Sequence, residues 1–215
     1  MLALVLSSVL GITPVFEHVG YKDLVTAKHG VRTPKVVYVH GGIKETTAKT
    51  FAKEMGAAKA TGQPIIPIVI SSYGGSVYAL LEMVDTIKSI GVPVATIVTG
   101  KAMSSGGILA SCGDDNMRFM SPNATFMIHE VSLGAFGKLE DVKTSTKEAE
   151  RLNDIIMRIM ATNINKPPNY FIDMIKEKGH TNWYLNAEEA KDIGLINHIR
   201  LPRIEVKIDV DMVVH

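Results

Sequence analysis

Two glycine-centred turns, each set between an apolar run and a helical run, constrain this chain more than any other feature. The first is Ser71-Ser72-Tyr73-Gly74-Gly75-Ser76, and the second is Gly100-Lys101-Ala102-Met103-Ser104-Ser105-Gly106-Gly107. Ahead of the first lies Ile65–Ser71 (IIPIVIS), continuously apolar as a strand buried on both faces must be. Pro67 within it argues for an edge position or an irregularity. Behind the turn, Val77, Leu80, Leu81, Val84 and Ile87 form one helical stripe. Pro93–Thr99 repeats the strand, and Ser104–Ser111 reads as a short apolar helix. An earlier strand, Lys35–His40, and helix, Thr46–Ala60, precede them, with Gly41-Gly42 expected to end that strand. Met117–Met120 and Thr125–His129 read as two further short strands. Repetition of strand, turn and helix predicts an α/β fold with largely parallel pairing.

Lys138–Asn163 differs in kind. It is long, has no internal Gly or Pro, and carries Val142, Ala149, Leu152, Ile156 and Ile159 on one face. Pro167-Pro168 ends it, a shorter helix follows to about Lys178, and Ala187–Ile193 predicts one more. Ile204–Val214 alternates like an exposed edge strand or an intersubunit arm. No repeat or low-complexity tract divides the 215 residues, which suit one domain with a sizeable core. We divide the chain into an N-terminal segment (1–34), a main domain (35–200) and a C-terminal extension (201–215).

The formal charge of +1 gives no electrostatic reason to expect nucleic acid or an anionic membrane. A single cysteine, Cys112, excludes an intrachain disulfide and suits a reducing compartment. It lies in an apolar run and is expected to be buried and inert. Met1–Ile12 is apolar, but it lacks a basic flank and is too short to span a bilayer. It is expected to pack on a neighbouring subunit or to belong to a trimmed leader. The chain is therefore expected to be soluble and cytoplasmic.

Helix starts expose unpaired N–H groups, and glycine lets an oxygen approach them. Such a turn can hold a phosphate or stabilise an oxyanion. The phosphate-loop spelling is absent. A serine opening a short helix after a strand has the mechanics of a nucleophile elbow, and glycines serving only tight turns are the alternative. His129 closes an apolar strand, where a titratable group is costly without partners. A serine and a histidine are the minimum for base-assisted attack. The other histidines, His18, His29, His40, His180, His198 and His215, do not pair at metal spacings, so no metal or cofactor is expected.

Three stretches carry a resemblance: ISSYGGSVYALLEMVDTIKSIGVPVATIVTGKAMSSGGILASCG, RFMSPNATFMIHE and NWYLNAEEAKDIGLIN. In this order they resemble the proteolytic subunit of the ATP-dependent Clp protease, over roughly Val36 to His198. The resemblance implies a crotonase-like fold of repeated β-β-α units with a protruding handle helix, the role of the long helix after Lys138. It places the nucleophile on Ser104, after Gly-x-Ala-x, and the base on His129, after Ser-Pro-Asn and its strand. Ser105 competes for the first role, because Ser-Gly-Gly resembles signal peptide peptidases. The resemblance also implies oxyanion donors at the N–H groups of Gly75 and Ser105. Gly74, Gly134 and Gly137 would lie along bound peptide. Ser132–Gly137 resembles the strand that adds to extended substrate and meets an opposite ring. Polypeptide substrates, paired heptameric rings and an AAA+ unfoldase are the implied partners.

Two departures stand out. Tyr73 replaces the family's usual proline. The family's aspartate position, fixed by Tyr184-Leu185-Asn186-Ala187-Glu188-Glu189-Ala190, holds Asn182, and Asp173 serves only if the register slips. Asparagine can orient an imidazole but offers it no charge, and an Asp→Asn change in a trypsin-type triad costs ~10⁴ in rate. Weak or partner-dependent activity is therefore expected, and divergence in detail suggests a viral or specialised branch. The rivals are a crotonase-type acyl-CoA enzyme, a ring subunit that modulates an active partner, and a capsid-maturation protease.

Overall fold

The computed structural model describes residues 33–204. The apolar segment Met1–Ile12 and nearly all of the edge strand expected over Ile204–Val214 lie outside the described residues. The elements in chain order are β1 (Val37–Ile43), α1 (Glu45–Lys59), β2 (Ile66–Gly75), α2 (Val77–Ser89) and β3 (Val94–Met103). Then follow α3 (Ser105–Ala110), β4 (Arg118–Met120), β5 (Thr125–Ile128) and α4 (Leu139–Asn163). The chain continues through α5 (Tyr170–Glu177), β6 (Trp183–Leu185), α6 (Ala187–Asp192) and β7 (His198–Ile199).

The strands form one seven-stranded sheet in the order β1-β2-β3-β4-β7, with β5 branching from β3 to pair with β6. Every pairing is parallel except β5 with β6. β3 uses Thr96–Val98 to pair with β4 and Lys101–Met103 to pair with β5, so one strand serves two partners in succession. Register shifts at Gly41/Gly42 in β1 and after Ile70 in β2 break these strands into two segments before their helices, the β-β-α unit that the resemblance implied. The mixed α/β architecture with a parallel sheet is the expected one.

Two local expectations need correction. Gly41-Gly42 does not end the first strand; the pair sits at the register shift inside β1, which continues to Ile43. Pro67 is not on an edge, because β2 lies between β1 and β3. Ile66 N–H donates to Pro93 O on the β3 side (2.8 Å), so the nitrogen of Pro67 faces β1. There the ladder opens only at Ile68, and the missing donor interrupts no bond.

The core is the β-sheet interior and the helix faces laid on it. Val37, Val39, Ile66, Ile68, Ile70, Leu80, Met83, Leu109 and Phe126 are all essentially inaccessible. Each such apolar side chain contributes about 1.5–3 kcal/mol of transfer free energy. The helix α4 spans the range its sequence predicts to within a residue, but only its second half joins this core, through Leu152, Ile156, Met157, Met160 and Ala161. Val142 and Ala149, on the same face, are only half-buried, and Leu139 is 68% exposed. Tyr78 Oη donates to Glu148 Oε1 (2.7 Å), tying this outer half to α2. No described helix is long and apolar enough to cross a membrane.

Candidate active site

β3 ends at Met103 and α3 begins at Ser105, leaving Ser104 as the single residue between strand and helix. Its backbone sits at φ 54°, ψ −127°, which non-glycine residues rarely adopt. Holding it there costs on the order of 1–3 kcal/mol. Three hydrogen bonds impose the geometry. Ser104 N–H donates to Met127 O (2.8 Å), and Ser104 O accepts from Gly107 N–H (2.9 Å) and Ile108 N–H (3.2 Å). Every residue of α3 is buried, so the turn cannot relax outward. The Ser104 side chain is left half-buried at the junction.

The other glycine turn closes on the same point. Gly74 has φ +89°, and a Cβ there would lie 2.7 Å from Ser104 Cβ, 2.6 Å from Met103 O and 2.9 Å from Ser105 N. At Gly75, φ is +151° and a Cβ would lie 2.2 Å from Ile43 O. Only glycine fits either place. Ser72 Oγ donates to Gly41 O (2.7 Å) and accepts from Gly74 N–H (3.0 Å), fixing the turn to β1. Ser105, 1% exposed, donates its hydroxyl to Gly75 O (3.0 Å). The two candidate serines thus differ sharply: the Ser105 hydroxyl stitches one turn to the other, while Ser104 stands at the open junction.

His129 immediately follows β5 and is half-buried. Burial holds its imidazole below the ordinary value of 6.5. The antiparallel ladder pairs Phe126 with Leu185, Met127 with Tyr184 and Ile128 with Trp183. The ladder stops there; continued by one step, the same register would bring Asn182 opposite His129, two residues that lie just outside it. Directly opposed residues have Cβ atoms about 5 Å apart, within reach of an imidazole–amide contact. Asp173 lies in the first turn of α5, hydrogen-bonded to Asn169, and is not the residue opposite His129. Among the described residues no hydrogen bond links the side chains of Ser104, His129 and Asn182. Asn182 itself is exposed.

Of the three glycines expected along bound peptide, Gly74 abuts Ser104, whereas Gly134 and Gly137 belong to the segment between β5 and α4. Ser132–Gly137, expected as a strand, is irregular. A Cβ at Gly134 would meet nothing within 4 Å, and one at Gly137 (φ +138°) would approach Asp141. Leu133 and Phe136 are exposed there, Phe136 at 99%. At Tyr73, the departure from proline brings in a new contact: Lys101 Nζ sits 4.1 Å from the centre of its ring. Cys112 is half-buried, and desolvation pushes its thiol up to about 11, away from nucleophilic duty.

Sequence reasoning passes over one pair beside the site. His180 Nδ1 lies 2.9 Å from Glu130 Oε2. Neither residue is near the other in sequence, and the β5–β6 register that brings them together becomes visible only with β6. Of the remaining histidines, His40 lies on β1, while His198 stacks on Phe119 (centroids 4.8 Å apart). His18, His29 and His215 lie outside the described residues. In a comparison with protein families, the model described as Clp protease matches residues 24–203.

Proposed function

The chain belongs to the Clp protease family and is a peptidase, and on that premise we propose that it cleaves peptide bonds by serine acyl transfer. His129 Nε2 takes the proton from Ser104 Oγ as the oxygen attacks the scissile carbonyl carbon. The carbonyl π pair moves onto oxygen, and the N–H groups of Gly75 and Ser105 receive that charge. The imidazolium then gives its proton to the leaving amine, and the acyl group stays on Ser104. Water, deprotonated by the same histidine, completes hydrolysis. The side-chain oxygen of Asn182 accepts from His129 Nδ1–H and sets the tautomer.

One observation carries the reading: the strained backbone of Ser104 at a strand–helix junction, facing glycines whose missing Cβ atoms make room for it. Strain persists where the surroundings over-determine it, and this junction does so. Family membership supports oligomeric assembly, and within it we read the subunit as part of paired heptameric rings. An AAA+ unfoldase would feed polypeptide to them, since the sequence carries no phosphate loop of its own. The peptidase domain is taken as 35–200, flanked by the segments 1–34 and 201–215.

Labelling with a fluorophosphonate probe, followed by peptide mapping, tests this reading. Modification at Ser104 is expected. It should disappear in Ser104→Ala and in His129→Ala, with peptide cleavage falling by about 10⁴ or more in both. Modification at Ser105 instead would overturn the assignment. A second reading draws on the exposed Asn182 and on the absence of hydrogen bonds among the three side chains: a ring subunit that is quiet until a partner orders its base. It predicts labelling only when a sister subunit or unfoldase is added.

A further inference from the structure

The pairing of β5 with β6 is short. It has three rungs, and the position at which the same register would bring Asn182 to His129 is the next one, where a ladder frays. Two ties flank that position. On one side Lys178 Nζ lies 4.9 Å over the Trp183 ring. On the other is the hydrogen bond from His180 Nδ1 to Glu130 Oε2, which joins segments 50 residues apart. Glu130 is the neighbour of His129, and His180 is two residues before Asn182.

The His180 end is built with some effort. His180 has φ 57°, a left-handed backbone at a non-glycine residue, directly after Gly179 at φ 69°. His180 N–H donates to Ile175 O (3.0 Å), and Gly179 N–H donates to Lys176 O (2.9 Å), closing the end of α5. Thr181 Oγ1 donates to Lys178 O (2.9 Å). Residues 179–181 are therefore pinned, and the imidazole is aimed from a fixed base. The side chains are 56% and 42% exposed. A pair this wet adds little to global stability, about 0–1 kcal/mol. Its value lies in what it positions.

We propose that the Glu130–His180 pair is a clasp that keeps the strand end carrying Asn182 against the strand end carrying His129, making both positioning residues for the general base. The proposal rests on reading His129 as that base. It adds residues which the serine–histidine–asparagine set alone does not include, and it explains how an exposed asparagine is held in place.

The test uses Glu130→Ala, Glu130→Gln and His180→Asn in the full chain, assembled as wild type. Asparagine tolerates the left-handed backbone at 180 but is too short to reach Glu130. Glu130→Gln keeps an oxygen acceptor. Peptide-cleavage kinetics should show kcat lower by about tenfold in Glu130→Ala and in His180→Asn, with KM unchanged. Glu130→Gln should stay within about twofold of wild type, and the double variant should lose no more than either single one. Hydrogen exchange, followed by mass spectrometry, should quicken over residues 179–183 in the two disruptive variants and stay unchanged over 125–128. Multiplicative losses, a change confined to KM, or unaltered exchange would each overturn the clasp. If wild type carries no label at Ser104, the serine mechanism fails by itself, and the exchange data alone decide whether the tie exists.

Discussion

The turn that holds Ser104 and the strand end that holds His129 are built in opposite ways. Around Ser104, backbone meets backbone: Gly74 abuts Ser104 and Ser105, Gly75 abuts Ile43, and the Ser105 hydroxyl locks one turn to the other. Around Asn182, which is exposed, the cross-strand tie is the surface pair Glu130–His180, and the β5–β6 ladder has three rungs. The first half of the site is fixed by steric exclusion and stays formed in a single chain. The second half is held by a short ladder and a half-exposed ion pair. On the proposed mechanism, the oxyanion turn would be the rigid half of the site and the base the adjustable half.

The most severe way to break this contrast is Gly75→Ala. The added Cβ meets main-chain atoms that cannot swing aside, so a loss of about 3 kcal/mol and of all cleavage is expected. Urea denaturation measures the first and peptide hydrolysis the second; near-wild-type stability would show that the turn yields more than its contacts imply. A milder strike on the same half is Ser105→Ala, which strips Gly75 O of its partner. Roughly 1 kcal/mol of stability and about tenfold in rate should be lost, with Ser104 still labelled. On the base side the effects are smaller. Because burial depresses the His129 pKa, the imidazole is neutral at neutral pH, and the acid limb of kcat/KM should be centred below 6.5. The unfolded state binds a proton there that the folded state refuses, so stability also falls as pH drops below 6.5. Asn182→Asp should move that limb upward, since a carboxylate favours the imidazolium, and should leave the rate above the limb equal or higher. A downward shift would mean that residue 182 does not face His129.

These regions also differ in how much the sequence discloses. The Ser104 turn is legible because its causes are local: an apolar strand, glycines and a short helix follow one another without interruption. The extent of α4 is legible for the same reason, since no Gly or Pro intervenes between Leu139 and Asn163. β6 is only three residues long and becomes a strand by pairing with residues far away, so no period marks it. Asn182 is therefore reachable only through the resemblance, and Glu130 with His180 not at all. Pro67 misleads because the rule against central prolines assumes that its nitrogen faces a partner, and here it faces the start of a ladder. Ser132–Gly137 shows the limit from the other side: the strand that the resemblance implied there is not formed in this chain.

The twisted backbone at Ser104 bears on how well the molecule withstands heat. A residue held at φ 54° by its neighbours releases part of that strain when replaced by glycine. Ser104→Gly would then be inert as a peptidase yet melt later than wild type, by about 2–4 °C for each kcal/mol released. Thermal ranking of Ser104→Gly against Ser104→Ala, which keeps the strain, gives the stability given up at this junction if the serine is the nucleophile proposed.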